Sequence, residues 1–247
     1  METRNSILKL NNIEVMYQEV ILVLKGVSMA VPEGGIVALL GANGAGKSTT
    51  LKAISGLLKH ENGEVTDGSI DFMGERIDRK DPEEIAKMGI IQVIEGRRVF
   101  EHLTVEENLR VGAHLRKDGS AVKDGLENVY HFFPRLKQLN NVMAGFVSGG
   151  EQQMMVMGRA MMAKPKLILL DEPSMGLSPL TKNVLVEGIK SIWKTGLTVL
   201  IVEQDASLTL NLVERVYILE HGKVGLEGKS QDLMNNEEVK RVYFQLG

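Results

Sequence analysis

The chain has 247 residues, 43% hydrophobic and 25% charged, a near-average make-up that supports a sizeable core in a single domain. Its 29 basic and 32 acidic residues give a net charge of -3, which argues against a nucleic-acid surface; the absence of cysteine excludes a disulfide scaffold, a thiolate metal site and a cysteine nucleophile. The N-terminal stretch enters polar–apolar alternation without a signal core, and no apolar run approaches the roughly 18 residues of a bilayer span, so a soluble chain is expected, without direct membrane insertion and with any membrane role left to partners.

In chain order, residues 7–10 and 13–15 alternate as a half-exposed strand, and 23–31 give a second before the turn Pro32-Glu33-Gly34-Gly35. The apolar run 36–40 reads as a buried strand, and the pattern at 50–58 as a helix. Residues 69–72 suggest a third amphipathic strand, so the first third combines an antiparallel β layer with a buried core strand. A short helix from Pro82 leads to a strand at 89–94, and the polar turn Glu95-Gly96-Arg97-Arg98 leaves it. Thr104-Val105-Glu106-Glu107 is a capping box announcing a helix to about Arg116. Helical patterns continue to 163, so about 97–160 form a helical insertion within a single domain whose core is 1–96 and 161–247. Residues 166–172 and 197–203 are buried strands separated by a helix at 179–194, which implies a parallel pair. Residues 216–219 and 223–227 form a hairpin around His221-Gly222, with helices from about Ser230. The fold class is therefore α/β, with a mixed, largely parallel sheet.

Between the strand at 36–40 and the helix after it lies Gly41-Ala42-Asn43-Gly44-Ala45-Gly46-Lys47-Ser48-Thr49. This fits G-x-x-x-x-G-K-[ST], in which backbone N–H groups curl around phosphates, the lysine reaches the outer phosphates and the hydroxyl ligates Mg²⁺. The following helix adds its unpaired N–H groups and positive dipole end to the same anion. Asp171 ends a buried strand, where an acid is placed to hold the Mg²⁺ that bridges β- and γ-phosphates, and Glu172 beside it is placed to polarise water. Ser148, Gly149, Gly150 and Glu151 open a further helix, where a glycine backbone and a hydroxyl suit an anion. Methionines 154, 157 and 161 share one face of that helix and read as core. The five histidines show no metal-ligand spacing.

A phosphate loop, then Ser148-Gly149-Gly150-Glu151-Gln152, then Leu169-Leu170-Asp171-Glu172-Pro173 resembles the ATP-binding subunits of ABC transporters, over essentially the whole chain. The resemblance implies an ATPase that binds ATP and Mg²⁺ between two subunits, a homodimer or a paralogous heterodimer, with Ser148 to Glu151 of one reaching the nucleotide held by the other. It implies integral-membrane permease partners, indirectly a substrate-binding protein, no nucleic acid, and a place on the cytoplasmic face of the membrane. Tyr17 matches the aromatic that stacks on adenine. Glu95 matches the glutamine that touches Mg²⁺ and the attacking water, with Gln92 still inside the strand. Gln204 stands where the family has its switch histidine, and Ser178 where it has an aspartate, which puts γ-phosphate sensing by an ionisable group in doubt. Residues 95–100, 171–177, 202–204 and 239–243 are similar to the LivF-type ATPase of branched-chain amino-acid importers. Relatives serving urea or amides share much of this pattern, and export-type ATPases share less. A soluble ABC ATPase acting on nucleic acid or the ribosome would carry tandem cassettes, a long coiled-coil insertion or a basic face, all absent here. The apolar pair Val99-Phe100 beside charges resembles a docking surface.

Overall fold

Residues 5–114, 116, 119–236 and 239 are described by the computed structural model of this chain. The hairpin β1 (Ser6–Tyr17) and β2 (Ile21–Pro32) comes first, then β3 (Ile36–Leu40), α1 (Lys47–Ser55), β4 (Gly63–Phe72), β5 (Glu75–Arg76), α2 (Pro82–Met88) and β6 (Ile90–Val93). Four helices follow: α3 (Val105–Val111), α4 (Gly119–Phe132), α5 (Pro134–Gln138) and α6 (Gly149–Met162). The chain then returns to β7 (Leu167–Asp171), α7 (Pro179–Trp193), β8 (Thr198–Glu203), α8 (Ala206–Thr209), β9 (Arg215–Glu220), β10 (Lys223–Lys229) and α9 (Ser230–Met234).

Two sheets result. A four-stranded antiparallel sheet runs β2-β1-β4-β5, and a six-stranded sheet runs β10-β9-β3-β8-β7-β6. In the second, the β9/β3, β3/β8, β8/β7 and β7/β6 pairs are parallel, and β10 adds an antiparallel edge. Every residue of β3, β7 and β8 is buried, as expected for parallel strands covered on both faces. Alternation divides β3 between two cores: Ile36, Ala38 and Leu40 join the helices, whereas Val37 and Leu39 join the antiparallel sheet and Leu51 and Ile54 of α1. Met154, Met155, Met157 and Met162 are buried in the helical core, and Met161 packs against it.

Parallel pairing has a direct consequence for chemistry. The carboxyl ends of β3, β6, β7 and β8 lie along one edge, so the loops beginning at Gly41, Ile94, Glu172 and Gln204 gather there.

Several elements differ from the sequence reading in extent. β4 starts at Gly63, six residues before the expected strand, because pairing with β1 carries it through Asp67 and Gly68 against local propensity. The two expected segments at 7–10 and 13–15 are one strand, interrupted by an irregularity at Asn11 and Asn12, with Asn12 at φ 50°. α3 stops at Val111 rather than Arg116, where the Gly112 N–H bonds the Leu109 carbonyl at 3.0 Å and closes the last turn. α1 begins at Lys47, inside the glycine motif, and ends at Ser55, not at 58, with Gly56 as its left-handed cap. The expected pattern at 239–243 lies, apart from Val239, outside the described residues.

Candidate active site

The loop between β3 and α1 spends one backbone donor on itself, the Ala45 N–H on the Ala42 carbonyl at 3.1 Å. Gly46, the residue before α1, sits at φ 107°, a left-handed conformation that costs glycine nothing, and no side chain caps the helix. The first N–H groups of α1 therefore keep their capacity for an anion. Beside the loop, a cleft of about 530 Å³ is lined by Gly41, Ala42, Asn43, Gly44 and Ala45 and faced by Gln204 from the end of β8; Lys47, Ser48, Asp171 and Glu172 are not in its lining. Gln204 is thus brought to the phosphate loop through the β3/β8 pair.

Lys47 is buried, and its ammonium lies 3.2 Å from the Ala42 carbonyl and 3.1 Å from Glu172 Oε1. Ser48 Oγ donates to Asp171 Oδ1 at 3.1 Å. The loop after β3 and the end of β7 are thereby joined by two polar pairs. Asp171 is 3% exposed, and burial pushes its carboxyl up to about 6 against the Ser48 hydrogen bond, with the neighbouring Glu95 and Glu172 raising it further. Glu95 sits in the turn after β6, close enough for its charge to act on Asp171. A hydroxyl and one carboxylate with room for phosphate oxygens are the donor set that Mg²⁺ takes in nucleotide sites, since it prefers hard oxygens and keeps waters. The Ser48–Asp171 pair fits that requirement.

Glu172 has φ 42°, an uncommon backbone for a residue with a side chain, held by its N–H to the Val202 carbonyl at 2.9 Å. One strand over, Glu203 is 2% exposed and accepts the Ser174 N–H at 3.0 Å; burial holds its carboxyl above the usual range despite that bond.

At α6 the start is organised differently. Ser148 Oγ accepts the Glu151 N–H at 3.4 Å and Glu151 Oε2 accepts the Ser148 N–H at 2.8 Å, a reciprocal capping box. Burial raises the Glu151 carboxyl, but the Arg135 guanidinium at 2.8 Å and the Ser148 bonds outweigh it and bring it below its ordinary value. The Glu151 carboxylate thus engages the Ser148 hydroxyl as well as the Ser148 backbone N–H. Neither Ser148, Gly149, Gly150 nor Glu151 lines the phosphate-loop cleft. Tyr17 stands outside that cleft too, at the end of β1, its ring against Gly63 of β4. Ser178 caps α7, its Oγ accepting the Thr181 N–H at 3.3 Å, a service aspartate also performs.

Two residues of this region escaped the sequence reading. Arg97, read there only as part of the polar turn after a strand, donates from Nη2 to the carbonyls of Met175 at 3.0 Å and Gly176 at 2.9 Å. Glu203 was legible only as the last residue of a strand; a second acid closing an all-buried strand was its signal.

Residues 24–175 match the ABC transporter family. The chain is 43% identical over 229 residues to the high-affinity branched-chain amino acid transport ATP-binding protein BraG of Pseudomonas aeruginosa, covering 92% of this chain and 95% of that one. Among solved structures it resembles the ADP conformation of MJ1267, an ATP-binding cassette of an ABC transporter, with a TM-score of 0.84 and 28% identity over 97% of this chain and 98% of that one. It also resembles the dimeric structure of the bacterial ABC transporter cassette MJ0796, with a TM-score of 0.78 and 26% identity over 90% and 98%. With a phosphate loop joined to the acids of β7 on the fold these cassettes share, the chain belongs to the ABC transporter family and is one of its ATP-hydrolysing subunits.

Proposed function

We propose that this chain hydrolyses ATP to drive a membrane importer for branched-chain amino acids. The observation that carries the substrate class is the 43% identity with BraG across nearly the full length of both chains. In this reading the N–H groups of Gly44 and of residues 46–49 and the Lys47 ammonium hold the phosphates, and Tyr17 offers its ring to adenine. Ser48 and Asp171 hold Mg²⁺, with Glu95 near it. Bound there, Mg²⁺ neutralises charge developing on the phosphates. Lys47 exchanges its contact with Glu172 for phosphate oxygens, which leaves the Glu172 carboxylate free to take a proton from water. Gln204 faces the cleft beside the phosphate loop and orients water or phosphate by hydrogen bonds, since an amide does not accept a proton at neutral pH.

The site is completed by a second ATP-binding subunit, identical or paralogous, which presents its Ser148, Gly149 and Gly150 to the nucleotide. Two features support this pairing. Gly149 and Gly150 open α6 with no side chain between its first N–H groups and a ligand, and Leu180 and Val184 stand exposed one turn apart on α7. No helix among the described residues is long and apolar enough to cross a membrane, so the importer needs permease subunits, and through them a substrate-binding protein outside the cell. An apolar groove of about 430 Å³ between α2, β6 and α6, lined by Ile91, Val93, Ile94, Phe100 and Val156, is the surface assigned to them. Phe100 and Ile94 are exposed there, and the Arg159 guanidinium lies 5.2 Å from the Phe100 ring centre. The chain is then held on the cytoplasmic face of the membrane.

The test is uptake of labelled leucine, isoleucine and valine by the native host carrying wild type, a deletion, or Phe100→Asp. Deletion abolishes uptake, and Phe100→Asp abolishes it with basal ATPase of the purified chain retained. Undiminished uptake in the deletion strain contradicts the substrate class, and undiminished uptake with Phe100→Asp removes the groove from the interface.

A further inference from the structure

The turn that carries Glu172 is fastened on two sides. From the sheet, β8 holds it through the Val202 carbonyl, which accepts the Glu172 N–H, and through Glu203 Oε1, which accepts the Ser174 N–H. Within the turn the Met175 N–H bonds the Glu172 carbonyl at 3.1 Å and the Leu177 N–H bonds the Ser174 carbonyl at 3.2 Å. From outside, the Arg97 guanidinium donates to the Met175 and Gly176 carbonyls. Arg97 belongs to a different element, the loop after β6, and its own backbone has φ 50°. Its Nη1 lies so close to Gly149, the first residue of α6, that a Cβ there would overlap it. One cation therefore meets three segments: its own loop, the turn after β7, and the start of α6. The same residues bound a cavity of about 390 Å³ that reaches Asp171 and Glu172, with Gly96, Arg97 and Gln152 on its other walls.

Geometry makes this more than a surface contact. A residue with a side chain at φ 42° stays there only if its surroundings hold it, and Glu172 is such a residue. Charge-assisted donors to main-chain carbonyls are stronger than neutral ones, and a planar guanidinium covers a glycine face where an ammonium would not.

We infer that Arg97 is a positioning residue for hydrolysis: by clasping the Met175 and Gly176 carbonyls against the start of α6, it fixes the 172–177 turn and so the place of the Glu172 carboxylate. It acts through Glu172 and touches no phosphate. This rests on the proposed reading of Glu172 as the group that accepts the water proton.

The experiment is a double-mutant cycle on the full chain, with Arg97→Ala, Arg97→Lys, Glu172→Gln and Arg97→Ala/Glu172→Gln, reading kcat, KM for ATP, nucleotide affinity and Tm. Arg97→Ala is expected to lower kcat by about tenfold, the scale of a misplaced group rather than a missing one. KM, nucleotide affinity and Tm stay near wild type. Arg97→Lys recovers part of kcat, since one ammonium reaches both carbonyls but does not cover Gly149. The double variant is no slower than Glu172→Gln alone, because a positioned group that is gone has nothing left to lose. The inference is overturned if Arg97→Ala keeps kcat within twofold, if kcat, affinity and Tm fall together, or if the two losses simply multiply. If Glu172→Gln turns over at the wild-type rate, the reading of Glu172 fails first; if Glu172→Gln is slow and Arg97→Ala is not, the role of Arg97 alone fails.

Discussion

The N-termini of α1 and α6 both follow glycine-bearing motifs, and they are built in opposite ways. α1 starts from a glycine with no side-chain cap, and its lysine and serine reach across to Glu172 and Asp171. α6 starts from a serine locked in a capping box whose partner Glu151 is itself paired with Arg135. The first leaves its N–H groups open and gathers its acids within the same chain. The second has engaged Ser148 and Glu151 in its own capping box and offers the Gly149 and Gly150 backbone. In the proposed reading this difference is a division of labour: α1 and the acids it reaches hold nucleotide, while α6 adds to a nucleotide held by another chain.

Breaking the α1 side is expected to have the largest effect. Lys47→Ala removes the buried cation and leaves Glu172 facing the phosphates unneutralised, so both nucleotide affinity and turnover fall, turnover by at least about 10³-fold. Filter binding and steady-state ATPase assays measure the two losses. Breaking the α6 side separates them: Ser148→Arg keeps nucleotide affinity near wild type in the monomer, because Ser148 belongs to the start of α6 and not to the loop and helix that carry Lys47 and Ser48. Its turnover is lost nonetheless. Mixing Lys47→Ala with Ser148→Arg chains restores measurable ATPase, since a mixed pair retains one intact composite site; no recovery would contradict the division.

Smaller changes sharpen the picture at the β8 edge. Gln204→Ala is expected to slow turnover by less than about tenfold, as losing an orienting hydrogen bond does when the base is intact. The last prediction concerns stability. The folded Glu203 carboxyl sits above its ordinary value because of burial, so folding holds a proton that the unfolded chain releases. Stability therefore falls as pH rises from the unfolded value through the folded one. Glu203→Gln keeps an acceptor for the Ser174 N–H without that cost, so its Tm should exceed wild type by a few degrees at pH 8 and match it near pH 4, read by thermal melts without nucleotide.

How much of this was written in the sequence depends on the range of the interaction. The phosphate loop, Asp171 and the start of α6 are local signals: a glycine spacing, an acid ending an apolar run, a serine three residues before a glutamate. All are legible without the fold. β4 was read short because its first half is held by pairing with β1 rather than by its own residues. Arg97 could be recognised as a basic residue after a strand, but its bonds span 78 and 79 positions along the chain, which no local pattern encodes. Glu203 was hidden for the same reason, since its partner Ser174 lies 29 positions away.

The central claim is that Glu172, freed when Lys47 turns to the phosphates, accepts the water proton. The most direct measurement is steady-state turnover of Glu172→Gln beside its affinity for ATP with Mg²⁺. The amide keeps the size and reach of the carboxylate but loses its charge, its ion pair with Lys47 and the capacity to take a proton. Turnover is predicted to fall by about 10²-fold or more with affinity unchanged or tighter. Turnover near the wild-type rate, with Glu95→Gln or Gln204→Ala inactive instead, would contradict it.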